Sequence, residues 1–141
     1  MDAVVDDRLL VEELLIGFDA RGAQLQTTAY WCFRACRAAV AGAGGHLAGP
    51  FLDVPEIEQQ RAIAAMLQLP GSIGLPDPRD TVAAMVEVAR RHPALHLLNL
   101  EAVAVAHILD AVVWLSPERA KGVLPGVLDT EHIVWETIRP S

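Results

Sequence analysis

Four carboxylates stand where strand-to-helix junctions could aim them at one point. Asp6 and Asp7 follow the apolar run Ala3 to Val5, Glu101 lies near the start of a helical pattern, and Glu118 follows the apolar run Ala111 to Leu115. In open parallel sheets ligands collect at the carboxyl ends of strands. Several carboxylate oxygens gathered there suit Mg²⁺ or Mn²⁺, hard cations that prefer oxygen and can activate water against a phosphodiester. Asp6, Glu101 and Glu118 are therefore the candidate catalytic acids, and Asp6, Asp7 and Glu101 the candidate metal ligands. Arg34, Arg37, Arg119 and Lys121 form the one basic set that could meet phosphate oxygens.

Each of these residues also has a structural reading. Asp6 and Asp7 could cap the helix that follows them, since carboxylates accept hydrogen bonds from its free N–H groups and complement its dipole. Glu101 fits a first-turn acid, and Glu118, behind Ser116 and Pro117, fits an ordinary helix start. Arg34 is either a solvated surface residue or a fork-shaped partner for Asp6 or Glu101, standing where a cation would sit. His107, among Ala and Ile, reads as a core histidine. His92 and His96 are four residues apart, but Pro93 breaks the helix that would align them. No His-Glu-x-x-His, nucleophile elbow or phosphate-binding Gly-Lys-Ser/Thr pattern occurs. Trp31 and Trp114 could stack on bases, but packing in a core or interface is the simpler use of their area.

These side chains need a frame to hold them. Ala3 to Val5 reads as a strand, and Leu9 to Ile16 as a helix stopped by Gly17. A second strand is expected at Leu25 to Thr28, and a helix from Tyr30 to Val40 that dissolves into the glycines of Gly42 to Gly49. Asp53 with Pro55 and Glu56 announces a helix to about Leu67, and Asp77-Pro78 one ending near His92, before Pro93. Asn99 reads as the cap of a helix from Leu100 to Leu109. Ala111 to Leu115 is a β-type run, Ser116-Pro117 starts another short helix, and Ile133 to Trp135 is a last strand. Strands alternating with helices predict a three-layer α/β/α sandwich on a mainly parallel sheet, built as one domain over residues 1–141.

Composition narrows the function classes. Hydrophobic residues at 52% and charged residues at 21% are those of a folded domain with apolar surface to spare for a partner or a second copy. No apolar run reaches the roughly 18 residues that span a bilayer, and the acidic start Asp2, Asp6, Asp7 is unlike a secretory signal, so a cytoplasmic protein is expected. Cys32 and Cys36, on one helix face, are too few for a zinc site and read as thiols. A net charge of −7 argues against a bulk electrostatic grip on nucleic acid.

Three segments carry a resemblance to a known family. Val4-Val5-Asp6-Asp7-Arg8-Leu9-Leu10, Leu98-Asn99-Leu100-Glu101-Ala102-Val103-Ala104 and Ala111-Val112-Val113-Trp114-Leu115-Ser116 resemble, in order and spacing, the opening strand, the later acid-bearing helix and the following strand of PIN-domain proteins. The likeness is strongest to the small bacterial toxins of toxin–antitoxin pairs. It implies a Mg²⁺- or Mn²⁺-dependent endoribonuclease with Asp6, Glu101 and Glu118 at its site, an RNA substrate and a small antitoxin-like partner. One departure bears on all of this. The stretch Thr27 to Arg34 matches the family segment that ends in a catalytic glutamate, and here that position holds Arg34. The alternative implied by the departure is a catalytically inactive PIN-like module acting through protein association.

Overall fold

The structure is a computed structural model that describes residues 1–41 and 54–139. The first strand, β1 (Asp2–Val5), runs into α1 (Asp7–Leu15), followed by β2 (Gln24–Gln26) and α2 (Ala29–Ala41). Three helices follow: α3 (Glu56–Leu67), α4 (Pro78–Arg91) and α5 (Leu97–Leu109). The chain closes with β3 (Val112–Leu115), α6 (Pro117–Ala120), α7 (Leu124–Thr130) and β4 (Trp135–Thr137).

All strand pairs are parallel, in the order β2-β1-β3-β4. Side chains alternate across a strand, and the two faces of this sheet feed two cores. Ala3, Val5 and Trp114 pack with Leu9, Leu10, Ala35 and Met66 beneath α1, α2 and α3. Val4, Val113 and Leu115 pack with Val88, Val103, Val105 and Leu128 from α4, α5 and α7. The result is the three-layer sandwich that alternating elements predict. Helix α5 is apolar nearly all round and buries Ala102 to Ala106, as expected for a helix covered on several sides.

Both central strands are apolar and both edges are polar. At one edge, Gly74 donates to the Leu25 carbonyl and accepts from Thr27 N–H, each at 2.9 Å, so the chain after α3 covers the rim of β2. At the other edge β4 spans Trp135–Thr137, not Ile133 to Trp135. Ile133 is buried against the second core; the Val134 carbonyl accepts the Val113 N–H at 3.0 Å, and the paired register with β3 runs from Trp135. Strand β2 is also shifted, ending at Gln26, because Thr27 and Thr28 turn to start α2.

Helix α5 starts at Leu97, with His96 as its N-cap, so Asn99 lies inside it. The sequence pattern missed α7 altogether. Pro125 lies in its first turn, where a proline's missing N–H has no partner to lose. Gly17 is required at its turn: its φ of 90° closes α1, and its N–H reaches the Glu12 carbonyl at 2.8 Å. The glycine-rich stretch and Asp53 lie outside the described residues.

Candidate functional site

The acids are held at the carboxyl edge of the sheet by local chain geometry. Asp6 leaves β1 in extended conformation and caps α1, accepting the Leu9 N–H at 2.9 Å through Oδ1. Its Oδ2 accepts the Ser116 N–H at 2.8 Å and the Ser116 hydroxyl at 2.7 Å. One buried carboxylate thus ties the ends of β1 and β3 together. Thr27 adds a third link at this edge, donating its hydroxyl to the Val5 carbonyl at 3.0 Å.

Asp7, the first residue of α1, is equally buried and lies between two guanidiniums. Arg34 Nε donates to its Oδ2 at 2.9 Å, while Arg119 spans both oxygens, Nε to Oδ1 at 3.1 Å and Nη2 to Oδ2 at 2.6 Å. The pairing of Arg34 therefore differs from expectation: it engages Asp7, not Asp6 or Glu101. The oxygens of Asp6 and Glu101 are taken by Leu9 and Ser116 and by the Ala29 and Tyr30 N–H groups, which leaves Asp7 as the carboxylate that meets Arg34.

Glu101 sits in the second turn of α5 and does not serve its own helix start. Its carboxylate accepts Ala29 N–H at 3.0 Å and Tyr30 N–H at 2.8 Å, capping α2 from outside. A carboxylate is well suited there because helix N-termini present unpaired N–H groups and a partial positive charge. Glu118, about half exposed, stands 3.6 Å from Arg8. Arg37 lies over the Phe33 ring at 5.7 Å and does not pair with Asp7. Lys121 terminates α6. Of the basic set, Arg34 and Arg119 meet on one carboxylate.

The histidines and cysteines lie elsewhere. His107 is at the surface rather than in the core, and with His92 and Arg91 it binds Glu131, at 2.7–3.0 Å. The Arg91 hydrogen bonds, aided by both histidines, hold the Glu131 carboxyl well below the ordinary range. Cys32 and Cys36 are half-buried free thiols, and burial pushes Cys32 up to about 11. Trp31 and Trp114 are core residues.

No family model and no curated protein matches the sequence. Among solved structures, VapBC-1 from nontypeable Haemophilus influenzae is similar, with a TM-score of 0.53 at 10% identity over 97% of this chain and 98% of that one. The fold is PIN-like.

The PIN-like resemblance implies a divalent cation at this edge, and the residues present do not fit one. Both oxygens of Asp6, of Asp7 and of Glu101 already accept hydrogen bonds from the protein. Two permanent cations flank Asp7, so a third would meet repulsion. Among the described residues no group of three or more Asp, Glu, His or Cys side chains could hold a metal ion.

Electrostatics separate the two neighbouring aspartates. Burial, only partly offset by the Leu9 and Ser116 hydrogen bonds and reinforced by the Asp7 charge, pushes Asp6 up to about 6. Burial acts on Asp7 too, but the guanidiniums of Arg119 and Arg34 outweigh it and hold its carboxyl below the ordinary range. A carboxyl raised to about 6 keeps a proton in the folded state that the unfolded chain releases near pH 4. Folding stability should therefore fall as pH rises from about 4 to about 6, by on the order of 3 kcal/mol from Asp6. Asp7 acts in the opposite sense and in a lower window, its contribution fading as pH drops below about 4. Thermal melts of the wild type and Asp6→Asn across pH 4–7 should converge toward acid and diverge toward neutrality in the wild type's slope. Parallel curves would contradict the raised Asp6.

Glu101 supplies a second expected result. In Glu101→Gln one carboxylate oxygen becomes an NH₂ that faces the Ala29 or Tyr30 N–H, leaving a helix-end donor unpaired. The loss should be about 1–2 kcal/mol, read as a lower urea midpoint. An unchanged midpoint would mean that the α2 cap is not made in solution.

Proposed function

We propose that this chain is a PIN-like binding module that works by association with a small antitoxin-like protein, its acid site locked by arginine instead of loaded with Mg²⁺ or Mn²⁺. The observation that carries this reading is the clamp of Arg34 and Arg119 on Asp7. The nuclease reading needs ionised carboxylates with open lone pairs converging on a metal. Here Asp6 caps α1, Asp7 is neutralised, and Glu101 caps α2. A guanidinium at position 34 cannot serve as a general base, because arginine stays protonated in proteins.

Association has its own support. Phe33, Val82, Val86 and Leu97 are each more than half exposed, and Phe33, Val82 and Leu97 line an apolar groove of about 310 Å³ with Met85 and Tyr30. Large exposed apolar side chains grouped in this way mark contact surfaces. The likeness to VapBC-1, spanning nearly the whole of both chains, supports a partner of the antitoxin kind.

The test combines two assays on the purified full chain. Single-stranded RNA should remain intact in Mg²⁺ or Mn²⁺, and a small protein encoded with the chain should form a stoichiometric complex that Phe33→Asp or Val82→Asp weakens. Metal-dependent cleavage that disappears in Asp6→Ala would overturn the reading.

A further inference from the structure

We propose that the Arg34 and Arg119 guanidiniums, held side by side on Asp7, form a seat for a phosphate group. This goes beyond association with a protein partner and rests on the clamp alone. Two permanent positive charges share a single carboxylate, and with the charges of Asp6 and Glu118 also acting on Arg119 the pair offers an anion fixed donors more than a net positive field. The clamp also leaves donors unused. Arg34 spends only its Nε on Asp7, and Arg119 its Nε and Nη2. Both Nη groups of Arg34 and the Nη1 of Arg119 make no hydrogen bond among the described residues.

These donors are reachable, because the two side chains are 28% and 22% exposed. On the Arg119 side the donors open onto a cleft of about 250 Å³ lined also by Asn99, whose amide adds a polar group, and Glu118; Arg34 does not line that cleft and reaches solvent beside it. Glu118 is the one carboxylate on that cleft, and Arg8 at 3.6 Å offsets its charge. Asp7 fixes both arginines before any ligand arrives, so little side-chain freedom remains to be lost on binding.

The shape of the donor set selects the ligand class. A divalent cation is repelled, and a carboxylate, although it can bridge both guanidiniums as Asp7 does, brings only two oxygens and one negative charge. A tetrahedral phosphate has enough terminal oxygens to engage two guanidiniums at once. The same chemistry could come from free inorganic phosphate or from the terminal phosphate of a nucleotide.

Isothermal titration of the full chain with inorganic phosphate, and separately with 5′-AMP, distinguishes these sources against sodium chloride at matched ionic strength. Saturable binding of phosphate is expected, weakened at least tenfold by Arg34→Gln and by Arg119→Gln and unchanged by Arg37→Gln. Binding of both compounds assigns the seat to a terminal phosphate, and binding of inorganic phosphate alone to the free anion. In case either variant folds poorly, arginine Nε–H resonances of the wild type give a second reading: those of Arg34 and Arg119 should move on phosphate addition while that of Arg90 stays still. No binding above the chloride control, binding indifferent to both substitutions, or unmoved Arg34 and Arg119 resonances would overturn the proposal. Binding confined to RNA that lacks a terminal phosphate would overturn it as well.

Discussion

Asp7→Asn is expected to destabilise the fold by about 3 kcal/mol, because removing one partner of a buried ion pair leaves its mates uncompensated. The substitution keeps size and shape, so the loss reports the missing charge together with one acceptor oxygen replaced by an NH₂ that faces a donor. Asp7 is fully buried, whereas its two arginines retain some contact with solvent, which places the effect at the lower end for such pairs. At roughly 3 °C per kcal/mol for a chain of this size, the melting midpoint should drop by about 10 °C. The sign is diagnostic. Acids gathered to hold a metal repel one another in its absence, so neutralising one of them commonly stabilises the protein. A midpoint equal to or above that of the wild type would therefore contradict the clamp.

Arg34→Glu should have an effect as large, and one that metal reverses. The substitution removes a guanidinium from Asp7 and places a carboxylate beside it, leaving Arg119 to offset two negative charges. Without divalent ions the variant should melt about 10 °C below the wild type, by the same reasoning as for Asp7→Asn. With Mn²⁺ it should recover, since a ligand that binds the folded state at a hundred times its dissociation constant adds about 2.7 kcal/mol. The wild type should show no such response. A variant with an unchanged midpoint and no response to Mn²⁺ would mean that Arg34 is an ordinary surface residue.

Local signals in the chain carried most of the frame, and the two strands they displaced share a cause. The β1 strand followed by two aspartates, the Asp77-Pro78 helix start and the Val112–Leu115 strand each rest on contacts within a few residues, which is what periodicity and capping patterns encode. Strands β2 and β4 are short polar edges whose positions are set by pairing with β1 and β3, so apolar runs pointed one or two residues astray. At the site the acids could be picked out by type, but their partners could not. Arg34 and Arg119 lie 27 and 112 residues from Asp7, and Glu101 lies 72 residues from the helix start it caps. Such pairings exist only once the sheet brings the ends of β1, β2 and β3 together. What the sequence did carry was a charge reversal, an arginine where the resembling family has an acid, and that signal pointed to a cation built into the chain.

Isothermal titration of the unmodified full chain with Mn²⁺ at pH 7 tests the locked site most directly. Asp7 is already paired with two guanidiniums, and the oxygens of Asp6 and Glu101 are taken by backbone and Ser116 donors. The account predicts no saturable binding up to millimolar Mn²⁺, from the wild type and Asp6→Ala alike. A single-site isotherm for the wild type that Asp6→Ala abolishes would contradict it.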